Sequence, residues 1–146
     1  MKPIVLSLAA LIGGLALAHA GMVSSSPAQD AVLRAMPSQV TLNMQEPVEL
    51  RLSTFKVYPL AATAADLSSF RRLNSLADGL VRRVLRARND QTERADSGLQ
   101  TTGRSAKQVV IGLKSGLKAG AYVVMWQVLS TDSHRTTGFY VFVYKP

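Results

Sequence analysis

From residue 22 onward, apolar residues recur mostly at every second position, the period of a β-strand whose two faces meet different surroundings. Residues 22–26 read as a short first strand ended by Pro27. Over 39–44, Val40, Leu42 and Met44 fall on one face, with Thr41 and Asn43 on the other. Residues 48–58 alternate again through Val48, Leu50 and Leu52, and Pro59 closes the run. Further strands are predicted over 108–113, 121–130 and 138–144. A turn-rich connection at 114–120 and a polar loop at 131–137 separate them. In the last strand Phe139, Val141 and Val143 alternate with Tyr140, Phe142 and Tyr144, so both faces are apolar, as in a central strand.

The middle of the chain changes period. Leu67, Phe70, Leu73, Ala77, Leu80, Val81 and Val84 are spaced by threes and fours, which predicts one face of a helix over about 66–89. Asp66 is the expected N-cap, its charge suited to the positive end of the helix dipole. Arg71, Arg72, Arg82, Arg83, Arg86 and Arg88 lie mostly off the apolar face and read as a solvated surface, the alternative being a face that docks a partner or a membrane. Residues 89–104 are polar and contain glycine, the pattern of a loop. Six or so short strands indicate a β-sandwich, with the helix in an excursion over about 64–96.

The first residues stand apart. Lys2 precedes an apolar run over 4–17, and small residues follow at Ala16, Ala18 and Ala20. This is the pattern of a secretory signal peptide over 1–18, leaving 19–146 as one domain. The run falls short of the roughly 20 residues that cross a bilayer, so the mature protein is expected to be soluble and periplasmic. Cleavage after Ala20 also satisfies the small-x-small rule and would discard His19. With 146 residues, 47% of them hydrophobic, the chain can build a core without disulfides. It has no cysteine, which excludes thiolate metal sites and the blue-copper centre. The net charge of +8 comes without an aromatic basic stripe, so nucleic acid is not an expected partner.

Only two histidines exist, His19 and His134. Cleavage after Ala18 would make His19 the N-terminus, where its α-amine and imidazole form a planar chelate that suits Cu(II). Asp132 and His134, two residues apart in an extended segment, would add an oxygen and a second imidazole. Asp132 could instead orient the imidazole from behind. Solvated histidines and an ordinary Asp-Ser-His turn explain the same residues without a metal. No Ser-His-Asp set and no Gly-rich phosphate loop is present, so an enzyme is not expected on those grounds.

Longer stretches carry more. The segment His19-Ala20-Gly21-Met22-Val23-Ser24-Ser25-Ser26-Pro27-Ala28, the run Val40-Thr41-Leu42-Asn43-Met44-Gln45-Glu46-Pro47-Val48, and the Gly120-Ala121-Tyr122 strand start are distinctive. So are Trp126 and the Asp132-Ser133-His134 loop followed by Gly138. Together they resemble the CopC/PcoC copper-resistance family over about two thirds of the chain. The resemblance implies an all-β, cupredoxin-like Greek-key β-sandwich (Ig-like), here with one inserted amphipathic helix. It implies one Cu(II) per chain held by His19, Asp132 and His134, with Glu46 near the copper in some members. It implies a periplasmic copper carrier or buffer in resistance and homeostasis. Its partners would be an inner-membrane copper transporter or another periplasmic copper protein. Two features depart from the pattern. Met22, Met36, Met44 and Met125 are scattered where some members carry a methionine-rich loop for Cu(I), and the arginine-rich helix has no counterpart there. Two rival readings remain at this point: a histidine-brace copper oxidoreductase, and a metal-free Ig-like interaction module.

Overall fold

A computed structural model describes residues 21–146. Two four-stranded sheets face each other. The first runs in the order β1 (Met22–Ser26), β3 (Gln39–Glu49), β6 (Ser105–Leu113), β5 (Asp96–Leu99). The second runs β2 (Val32–Leu33), β8 (Arg135–Tyr144), β7 (Gly120–Leu129), β4 (Thr54–Leu60). All neighbouring pairs are antiparallel except β2 with β8.

The inward residues Val40, Leu42, Val109 and Ile111 of the first sheet meet Tyr122, Val124, Trp126, Tyr140 and Phe142 of the second. The second sheet is covered on its outer face as well. Val123, Met125, Val141 and Val143 pack beneath the helix α1 (Phe70–Val84), which buries Leu73, Ala77 and Val81 against them. The layers are therefore sheet, sheet and helix. This explains why β7 and β8 are apolar on both faces: each side meets its own hydrophobic layer.

The helix begins later than the apolar spacing alone indicates. Asp66–Ser68 is a separate 3-10 turn, and Ser69, not Asp66, caps α1 by accepting from the Arg72 N–H at 3.4 Å. The Asp66 carboxylate is occupied elsewhere, accepting from the Thr63 N–H and hydroxyl at 2.9 and 2.7 Å. At the other end Lys56, 1% exposed, reaches from β4 to close the helix. Its ammonium donates to the carbonyls of Val84 and Ala87 at 2.7 and 2.8 Å and to Asp90 at 2.7 Å. Val84 is the last residue of α1 and Ala87 lies three residues beyond it, so the ammonium secures the helix end to the chain that leaves it. Asp90 also accepts from Arg94 and from the Tyr58 hydroxyl. Burial alone would raise the Asp90 pKa, but the hydrogen bonds from Arg94, Lys56 and Tyr58 outweigh it and hold the carboxyl well below its ordinary range.

Two other expectations are corrected. The run 48–58 is not one strand: β3 ends at Glu49, a 3-10 turn spans Leu50–Leu52, and β4 starts in the opposite sheet. Alternation continues across the crossover, but Leu52 is 60% exposed there. Pro59 lies inside β4 rather than ending it, which an edge strand permits. The loop expected over 89–104 contains β5, a polar edge strand with little apolar signal. Residues 95 and 96 also complete the outer edge of β4. The Val57 N–H donates to the Asp96 carboxylate at 2.8 Å, and the Val57 carbonyl accepts from the Ala95 N–H at 2.8 Å.

Candidate metal centre

One end of the sandwich holds a cleft of about 290 Å³ lined by Gly21, Met44, Gln45, Glu46, Val48, Val128, Ser130, Asp132, His134 and Thr136. Three pieces of backbone make it. The start of the first strand region brings Gly21, whose carbonyl accepts from the Gln45 N–H at 2.6 Å. The irregularity in β3 between Asn43 and Val48 brings Gln45 and Glu46. The β7–β8 connection brings Ser130, Asp132 and His134. It is tied to β3 by the Thr131 N–H donating to the Pro47 carbonyl at 2.9 Å, and by a bridge between Val48 and Ser130.

The connection is held by its own hydrogen bonds. The Ser130 N–H donates to the His134 carbonyl at 2.8 Å, and the Ser133 N–H to the Ser130 carbonyl at 2.9 Å. Ser133 turns the chain with φ 73°. The Ser130 hydroxyl, itself 9% exposed, donates to the Asp132 carboxylate and accepts from the His134 N–H at 3.1 Å. The other Asp132 oxygen lies 3.0 Å from His134 Nδ1. Hydrogen bonds from Ser130 first, then from the His134 side chain and backbone, lower the Asp132 pKa to about 2. The carboxylate is therefore ionised at neutral pH and sets the imidazole tautomer with the proton on Nδ1, leaving the Nε2 lone pair free to bind a metal. Both side chains are open to solvent, at 55% and 80% exposed, so an ion could reach them.

Asp132 and His134 thus stand together as the sequence indicates, and Glu46 lines the same cleft. His19 lies outside the described residues. Among the described residues no three His, Cys, Asp or Glu side chains are grouped to hold an ion; Asp132 and His134 are a pair. The fit to a divalent ion is one of donor chemistry: an imidazole and an ionised carboxylate beside a polar cleft. Trp126 lies fully buried in the core. Met44 and Met125 are core residues, 1% and 0% exposed, although Met44 also forms part of the cleft floor. No helix residue lines the cleft. Two residues of the site escape sequence reasoning. Ser130 could have been found from its place two before Asp132, a spacing at which a serine hydroxyl meets the polar groups of a turn, although residues 131–133 turn rather than run extended. Gly21 has no such signal. Its φ of +81° and an added Cβ's 3.0 Å approach to Thr136 Oγ1 show why glycine stands there.

Residues 22–145 match the CopC domain. The chain belongs to the CopC family. Among its relatives, the protein YobA of Escherichia coli K12 is 30% identical over 128 residues, covering 88% of this chain and 80% of YobA. Copper resistance protein C of Pseudomonas syringae pv. tomato is 29% identical over 135 residues, covering 92% and 87%. The copper resistance protein C of Escherichia coli is 26% identical over 148 residues, covering 97% and 98%. Two solved structures share the fold. CopC from Methylosinus trichosporium OB3b has a TM-score of 0.58 at 20% identity, covering 86% of this chain and 93% of its own. PcoC, a methionine-rich copper resistance protein from Escherichia coli, has a TM-score of 0.56 at 24% identity, covering 88% and 100%. The two facing sheets of this CopC-family chain are thus the Greek-key β-sandwich that the sequence resemblance implies. No helix among its described residues is long and apolar enough to cross a membrane.

Proposed function

We propose that this CopC-family protein is a periplasmic Cu(II) carrier or buffer in copper resistance and homeostasis, binding one Cu(II) per chain. The ligands of this reading are the α-amine and imidazole of His19, an imidazole nitrogen of His134 and the carboxylate of Asp132, whose contact with His134 Nδ1 gives way to the metal, with Glu46 beside them. The observation that carries it is the position of Gly21 in the wall of the cleft that Asp132 and His134 line. Two residues of chain span at most about 7 Å, which is the reach this reading asks of His19. An N-terminal residue supplies two nitrogens at once, and the described residues provide the pair of Asp132 and His134. An α-amine with a pKa near roughly 8 gives up its proton to copper at neutral pH, which a peptide nitrogen does not. The reading therefore includes removal of residues 1–18 after Ala18 in the periplasm.

The test compares protein beginning at His19, the same protein with one alanine added before it, and His134→Ala. Cu(II) affinity by competition and the nitrogen hyperfine pattern in electron paramagnetic resonance are measured for each. The extension and His134→Ala should each weaken binding by orders of magnitude and each remove nitrogen coupling. Equal affinity and an unchanged spectrum for the extended protein would overturn the ligand set. Ascorbate-driven peroxide production by the copper-loaded protein, expected to be no faster than for free copper, separates a carrier from a copper oxidoreductase.

A further inference from the structure

We infer that the solvent face of α1 is a docking surface for anionic phospholipid headgroups. Between residues 66 and 88 the chain carries six arginines against two acidic residues, Asp66 and Asp78. Packing does not require them. The helix is seated by Leu73, Ala77 and Val81 on its opposite side, and Arg71, Arg72, Arg82, Arg83 and Arg86 are exposed. At 100° per residue Arg71, Arg72, Arg82 and Arg83 fall within about 120° of the helix circumference, on the side away from the sheet, and Arg86 follows two residues past the helix end. Among the described residues, only Arg82 of the five forms a salt bridge, with Asp78 at 3.0 Å.

Helix stability does not account for all of them either. Arg82 and Arg83 in the last turn suit the helix dipole. Arg71 and Arg72 occupy the first turn, where positive charge opposes it. A face that works against its own helix calls for an anionic partner.

The layout favours a lipid surface over an acidic protein. The two arginine clusters are about 16 Å apart along the axis, with Ser75 and Gly79 low between them. Mobile headgroups can gather at both clusters at once, whereas a folded partner would need two acidic patches at matching spacing. Guanidinium groups take phosphate oxygens in pairs, a geometry lysine lacks. Leu76, 40% exposed on the same face, adds an apolar side chain suited to the interfacial region.

The test is co-sedimentation of the chain beginning at His19, which retains the whole described domain, with two kinds of vesicle. One is pure phosphatidylcholine, the other three parts phosphatidylcholine to one of phosphatidylglycerol. Binding is expected only to the anionic vesicles, falling at least tenfold between about 50 and 500 mM salt. Arg71→Gln with Arg72→Gln, and Arg82→Gln with Arg83→Gln and Arg86→Gln, should each weaken it at least fivefold, with helix content by circular dichroism unchanged. Lys107→Gln with Lys118→Gln and Lys145→Gln removes as many exposed charges elsewhere and should change binding less than twofold. No binding to anionic vesicles at low salt, or an equal loss in the lysine control, overturns the proposal. Retention on polyglutamate but not on vesicles, lost in the arginine variants, would overturn it in favour of an acidic protein partner.

Discussion

Trp126 lies with its indole across the backbone of Gly138, its register partner between β7 and β8. A Cβ added at Gly138 would sit 2.5 Å from Trp126 Cζ2 and 2.7 Å from Cε2. The indole is fully buried and its ring cannot fold away, so the collision falls on a rigid neighbour. Gly138→Ala is expected to destabilise the domain by about 2 kcal/mol. Part of that loss should return when Trp126→Phe is combined with it, a coupling that urea unfolding of the four forms would measure. Additive losses in that cycle would mean that the contact does not limit residue 138.

Ser130 stands behind both Asp132 and His134, and its hydroxyl holds the loop in one conformation. Ser130→Ala should lower Cu(II) affinity about 10- to 100-fold while leaving the domain folded. A competition titration reads this directly. Affinity within twofold of the parent would show that the loop holds its shape without the hydroxyl.

The cluster of Lys56, Tyr58, Asp90 and Arg94 sets the acid limit of the fold. Lys56→Met would leave the helix carbonyls and one Asp90 oxygen short of a donor in a buried place, and should cost about 3 kcal/mol. Asp90 has its pKa depressed in the folded state. Its contribution is therefore complete above the unfolded value of about 4 and is lost as pH falls below that, because the unfolded chain takes up the proton first. Asp96 acts in the opposite sense, since burial raises its pKa. Comparing the parent with Asp90→Asn cancels Asp96 and isolates Asp90. The stability gap between the two should be constant from pH 5 to 8 and shrink from roughly pH 4 downward. A gap that widens in acid would contradict the assignment.

Cu(I) should be held far more weakly than Cu(II). Soft thioethers are the ligands Cu(I) needs, and here Met44 and Met125 are packed into the core. Competition with a Cu(I) chelator under reducing conditions should strip the metal at chelator concentrations that leave Cu(II) in place under air. Retention of Cu(I) as tight as that of Cu(II) would bring in a thioether, and Met44 in the cleft floor is the one placed for it.

The parts of the fold that were legible in the sequence are those that bury side chains periodically. Val40, Leu42 and Met44 alternate because they face one layer, and β8 is apolar throughout because it faces two. The crossover at Leu50–Leu52 was not legible, since alternation reports faces and is silent about which sheet a strand joins. Asp66 and Ser69 are both good caps, and only the turn that Thr63 and Asp66 make together decides between them. β5 is defined by backbone pairing and by a carboxylate rather than by apolar residues, and so left no pattern. In the site, the spacing of Asp132 and His134 made them candidates, and the family resemblance singled them out over an ordinary turn. The meeting of Gly21, Glu46 and the β7–β8 loop depends on contacts distant in sequence, which no local pattern records.

The capture of both Val57 backbone groups by residues 95 and 96 has a consequence for self-association. A sheet edge with free N–H and C=O groups is a template on which another copy's strand can add. At Val57, midway along β4, neither group is available, and Pro59 removes a further donor from the same edge. This side of the sandwich is therefore closed, at the middle of the strand, by the protein's own chain.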